Sequence, residues 1–150
     1  KMTGVPKTYA EWSALLEQFR RHEDDVVLLQ AMRQGTLFWQ VGVAERFSQL
    51  LVDVVNERMN AAEKAFQQKM SRSAGSERLI IDALLSLRKE MQLLVSIMEL
   101  PVIPQELRIQ YVKLVQDQVD KIQASMEDSA RKTDRSGKLS SILRNHPVNR

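Results

Sequence analysis

The sequence predicts an all-α protein: an elongated bundle of four or five antiparallel helices followed by a short amphipathic C-terminal segment. Three observations carry that reading. Hydrophobic residues fill 43% of the 150 positions, too many for a disordered chain. Five Gly and four Pro are too few for a sandwich built on many tight turns. Apolar residues recur in steps of three and four over long stretches free of Pro and Gly, which is the period of a helix with one inward face.

The first helix is signalled by Thr8 and Glu11, a T-x-x-E capping box in which the hydroxyl serves an orphan amide and the carboxylate reaches back. Trp12, Leu15, Leu16 and Phe19 then form one stripe. The run from Arg20 to Asp25 is polar. Asp24 or Asp25 is placed to cap a shorter second helix through Val26, Leu29 and Met32, with Gly35 as its stop. One bent helix and two separate helices both fit, with two preferred.

A long element is expected from near Thr36 to about Arg72. Its stripe is Phe47, Leu50, Leu51, Val54, Val55, Met59, Ala62, Phe66 and Met70, with Gly42 marking a bend. As one helix, residues 37–72 would span roughly 54 Å. A compact domain of this length is only about 40 Å across. Such a rod must kink, protrude or pack against another molecule, and this points to a homodimer. Ser71 to Ser76 is the clearest loop, with Ser73 or Ser76 as the next cap.

A third long helix is expected through Leu79, Ile80, Ala83, Leu84, Leu87, Met91, Leu94, Val95 and Met98. Ile81, Leu85, Leu93 and Ile97 add a second face, so this helix reads as central and buried on more than one side. Pro101 and Pro104 end it. Pro104 and Glu106 suit the first turn of the next helix, which carries Leu107, Tyr111, Leu114, Val115, Val119, Ile122 and Met126 and is expected to fray beyond Met126. Residues 1–134 are thus read as the bundle, and 135–150 as a basic, partly mobile tail.

Charge and motifs exclude more than they assign. Basic and acidic residues are equal in number through residue 137, and the net +3 comes from Lys138, Arg144 and Arg150 in the last thirteen positions. Without cysteine there is no disulfide, thiolate metal site or cysteine nucleophile. No segment has the order of an export signal, and charges interrupt Leu79–Leu100, so a cytoplasmic protein without membrane insertion is expected. The His22-Glu23-Asp24-Asp25 cluster lacks the H-E-x-x-H spacing and reads as a solvated, capping run. Gly137-Lys138 resembles the end of a phosphate loop. Leu139, however, stands where Ser or Thr must hold magnesium, and Lys132 where the earlier glycine belongs. Carboxylates such as Asp117 with Asp120, or Glu127 with Asp128, read as solubility features. No enzyme activity, cofactor or metal is expected.

The expected function is therefore non-catalytic: a homodimeric adaptor, regulator or assembly accessory that binds an unidentified protein. Phe38 and Trp39 abut and cannot both bury on one stripe, which marks them as contacts. Leu139, Ile142 and Leu143 have the i, i+3, i+4 spacing of a helix-in-groove anchor, although docking back on their own bundle is the slightly preferred reading of that spacing. Met59, Met70, Met91, Met98 and Met126 sit at stripe positions as core filler or as adaptable binding surface. The alternative is a nucleic-acid-associated regulator whose basic arm, Arg131, Lys132, Arg135, Lys138 and Arg144, neutralises phosphates.

Overall fold

The computed structural model describes residues 6–34, 42–133 and 137–150. They form six helices and, among the described residues, no strand: α1 Tyr9–Arg20, α2 Asp25–Gln34, α3 Val43–Arg72, α4 Glu77–Met98, α5 Gln105–Thr133 and α6 Lys138–Asn145. The protein is an all-α bundle of five helices with α6 as the short amphipathic segment. Its chain divides into two compact units, Lys1–Arg58 with Val95–Val115, and Met59–Leu94 with Gln116–Arg150.

In the first unit, Thr8 Oγ1 accepts from Glu11 N–H at 3.2 Å, and Glu11 Oε2 accepts from the Lys7 amide at 3.4 Å, so the box closes one residue further back than expected. Trp12, Leu15, Leu16 and Phe19 are all buried, and Trp12 meets Phe47 edge-on at 5.4 Å. A Schellman motif ends α1: Glu23 N–H donates to Gln18 O and His22 N–H to Phe19 O, with His22 left-handed at φ 61° where glycine is usual. Two separate helices result.

The face assigned to α2 needs correction. Val26 is 62% exposed, whereas Leu28, Ala31 and Met32 are buried. Arg58 sets this rotation. Its guanidinium, only 2% exposed, holds both Asp25 oxygens at 2.9 and 3.2 Å, so Asp25, Leu28 and Met32 share the inward side. The acidic run is therefore not wholly solvated.

The long helix α3 runs from Val43, directly after Gly42, whose φ of 84° interrupts a right-handed ladder and makes the expected bend; residues 36–41, read as its start, lie outside the described residues. Its 30 residues span about 45 Å. Phe47, Leu51, Val54 and Val55 are buried in the first unit, Met59 and Phe66 in the second. None of the large exposed hydrophobics lies on α3, so the length of this helix leaves no uncovered apolar flank among the described residues. The first unit is completed by Ile97, Met98, Val102, Ile103, Tyr111 and Val115; Leu114, expected on the stripe, is half exposed.

In the second unit, Ser76 Oγ accepts from Leu79 N–H at 3.4 Å and so caps α4, after the left-handed pair Ala74 and Gly75. Ile80, Ala83, Leu84, Leu87, Met91 and Leu94 form a single buried stripe. Leu79 and Leu85 point outward, so this part of α4 is not buried on several sides as expected. On α5, Val119, Ile122 and Met126 are buried and Ala130 is fully so. Packing thus continues one turn past Met126, where loss of packing was expected. No helix among the described residues is long and apolar enough to cross a membrane.

Candidate protein-interaction groove

Within the second unit, α3, α5 and α6 each present short-spaced side chains to one groove of about 330 Å³. Phe66 and Met70 lie one turn apart on α3, as do Gln67 and Ser71; Met126 and Ser129 come from α5, Leu139 and Leu143 from α6. These i, i+3 and i, i+4 spacings place each pair on one helix face. Five of the eight lining residues are apolar, two of them methionines whose flexible thioethers adapt to varied shapes. Ser71 turns its hydroxyl back to Gln68 O at 2.8 Å, which spares the groove one free donor. No lining residue is an acid, a base or a cation, so the groove suits the binding of apolar groups rather than proton transfer.

The expected contacts divide. Leu139 and Leu143 line the groove. Ile142 and Leu143 are 5% and 2% exposed, so the anchor spacing of α6 is satisfied inside its own unit. Phe38, Trp39 and Arg135 lie outside the described residues. Phe66 and Met126 are buried, as their stripe positions led one to expect, and with the half-buried Met70 they also line the groove.

Three of the expected basic positions sit beside carboxylates. Lys132 Nζ and Arg131 Nη2 both contact Asp128, at 3.1 and 3.3 Å. Hydrogen bonds from Lys132 and then Arg131 hold the Asp128 carboxyl below the ordinary carboxylate range. Lys138 Nζ lies 3.6 Å from Glu77, and Arg144 is exposed. Each of the first three cations thus sits beside a carboxylate that offsets its charge.

A second, more polar cleft of about 480 Å³ lies in the first unit between Tyr9, Arg46, Gln49, Asp53 and Tyr111. Arg46 stacks over the Tyr9 ring at 4.9 Å. Gln49 donates to Asp53 at 3.1 Å and accepts from the Tyr111 hydroxyl at 3.4 Å. These polar groups answer one another. Among the described residues no three His, Asp or Glu side chains converge as a metal site.

No protein-family model, curated protein or solved structure matches this chain.

Proposed function

We propose that the protein is a non-catalytic interaction protein that acts as a homodimer, and that the groove of its second unit takes apolar side chains of protein partners, a second copy of the chain among them. The observation that carries this reading is the groove's lining: Phe66, Met70, Met126, Leu139 and Leu143 around about 330 Å³, with no charged group. Adaptable apolar surface of this kind is what helix-binding grooves use. A cysteine-free chain is compatible with the cytoplasmic setting that the proposal assumes. A nucleic-acid role is the weaker reading, because Arg131, Lys132 and Lys138 already face Asp128 and Glu77.

Light scattering over a concentration series tests it. The expected mass is twice 17.3 kDa for the wild-type chain, with dissociation on Met70→Lys and an unchanged helical circular-dichroism spectrum. A constant 17.3 kDa mass for the wild type overturns the dimer. A Met70→Lys chain that folds and associates as well as the wild type removes the groove from the interface.

A further inference from the structure

Seven methionines occur in the chain, and six of them lie among the described residues. Met32, Met59 and Met98 are fully buried, Met91 is 1% exposed and Met126 7%. Met70 is half-buried, and it lines the open groove of the second unit with Phe66 and Ser71 of its own helix and Met126 and Ser129 of α5. A thioether packed on all sides has no room for an attacking molecule, whereas one at the wall of an open groove does. The main chain under Met70 is fixed. Its carbonyl oxygen accepts from the Ser73 amide at 3.2 Å and from the Ser73 hydroxyl at 2.8 Å, and Ser73 is 5% exposed. A chemical change on this side chain therefore alters the groove rather than the end of α3.

We infer that Met70 is a modification site, at which a hydroperoxide converts the thioether to the sulfoxide and weakens binding in the groove. The inference rests on the reading of this groove as an apolar binding site and deepens it by naming how the site is regulated. In the step, a sulfur lone pair attacks one peroxide oxygen, so that the S–O bond forms as the O–O bond breaks. Sulfur loses two electrons and the peroxide gains them. With hydrogen peroxide, the departing hydroxide takes up the proton of the transferred oxygen and leaves as water. The neutral thioether is itself the nucleophile, so no neighbouring base has to activate it.

The sulfoxide carries a strong dipole at a wall where Phe66, Met126, Leu139 and Leu143 offer it no hydrogen-bond donor. The Ser71 hydroxyl is already given to Gln68 O. An apolar side chain seated in the groove would bury the new oxygen unbonded, which should weaken its binding roughly 10–100-fold.

Dilute full-length protein is treated with limiting hydrogen peroxide, and each methionine is followed by peptide mass mapping. Met70 should be converted before Met32, Met59, Met91 and Met98, with Met126 between them. Two readouts then follow the groove: binding of the apolar dye anilinonaphthalene sulfonate, and mass by light scattering. Oxidation should release the dye and weaken self-association, and methionine sulfoxide reductase should restore both. Met70→Leu keeps the apolar volume without the sulfur, so its dye binding and association should survive the same treatment.

Three results overturn the inference. One is a Met70 converted no faster than the buried methionines. Another is a protein with Met70 sulfoxide that binds the dye and associates as before. The third is a Met70→Leu chain that loses both on oxidation as the wild type does. A wild-type chain that takes up neither dye nor a second copy before oxidation removes the groove as a binding site, and the switch with it. A constant 17.3 kDa mass with dye lost through Met70 removes only the homodimer and leaves the oxidation site standing.

Discussion

Removing the carboxylate of Asp25 should cost the fold more than removing its partner Arg58, because the two groups differ in access to water. The Arg58 guanidinium is 2% exposed, while the Asp25 side chain is 28% exposed. Asp25→Ala strips a buried cation of its carboxylate and leaves neutral contacts such as the Phe19 carbonyl at 3.0 Å and the Phe19 ring at 4.2 Å. Breaking a buried pair this way costs about 3–5 kcal/mol, and water entering on the Asp25 side brings the estimate to about 3. Arg58→Met keeps the packing of the stem and leaves Phe19 O and a carboxylate that water can reach, at about 2 kcal/mol. The double variant has no stranded charge and should cost about 2–3 kcal/mol, well short of the sum of the singles. Thermal and urea unfolding followed by circular dichroism give the three values. At about 3 kcal/mol the Asp25→Ala midpoint falls by roughly 6–12 °C. The reasoning fails if Asp25→Ala costs under about 1 kcal/mol, if Arg58→Met is the more damaging single change, or if the two effects add.

Gly75 sits at φ 79° with open space where a Cβ would project, so Gly75→Ala should lose about 1 kcal/mol from backbone strain alone. Ala74, at φ 51° beside it, should gain from Ala74→Gly in the same unfolding assay. At the end of α5, Asp128 is held below the usual carboxylate range by Lys132 and Arg131. Its stabilising contribution is therefore present above the unfolded pKa of about 4 and lost as pH falls through the lower folded value. Amide protection factors around Ser129 to Lys132 should hold steady from pH 8 to 5 and decline only below about 4; a decline between pH 7 and 5 would contradict the assignment.

Local signals were legible in the sequence and long-range ones were not. Thr8 with Glu11, the Trp12–Phe19 stripe and the Ser76 cap depend on neighbours within four residues, so spacing alone exposes them. Arg58 was invisible as a core residue: arginine is ordinarily a surface residue, and its partner lies 33 positions away. That hidden pair also explains the misplaced face of α2, since it overrides a stripe that included Val26. The bend at Gly42 was legible, because a glycine inside a periodic stripe is the residue that takes a φ of 84° without a Cβ penalty. Asp120, by contrast, read as a solubility feature, because a side chain that pairs with a residue 29 positions away carries no local pattern. Leu139 and Leu143 had visible spacing, and only the tertiary arrangement set them against Met70 and Met126.

Ser48 offers the sharpest remaining check on how the first unit is held together. It is 1% exposed on α3, next to Phe47 and one turn before Val52, and its Oγ has no hydrogen-bond partner among the described residues. Burying a hydroxyl without an acceptor costs about 1–3 kcal/mol. Ser48→Ala removes that cost, improves helix propensity by about 0.5 kcal/mol and deletes only one atom from the packing. The variant should therefore be more stable by about 1–2 kcal/mol, read as a higher urea midpoint at unchanged slope. Ser48→Val fills the same apolar surroundings but adds volume to a close-packed site, and overpacking should make it worse than Ser48→Ala by about 1–3 kcal/mol. If Ser48→Ala is instead destabilising by more than about 0.5 kcal/mol, the hydroxyl is bonded in the folded protein, and the apolar account of this face of α3 is wrong.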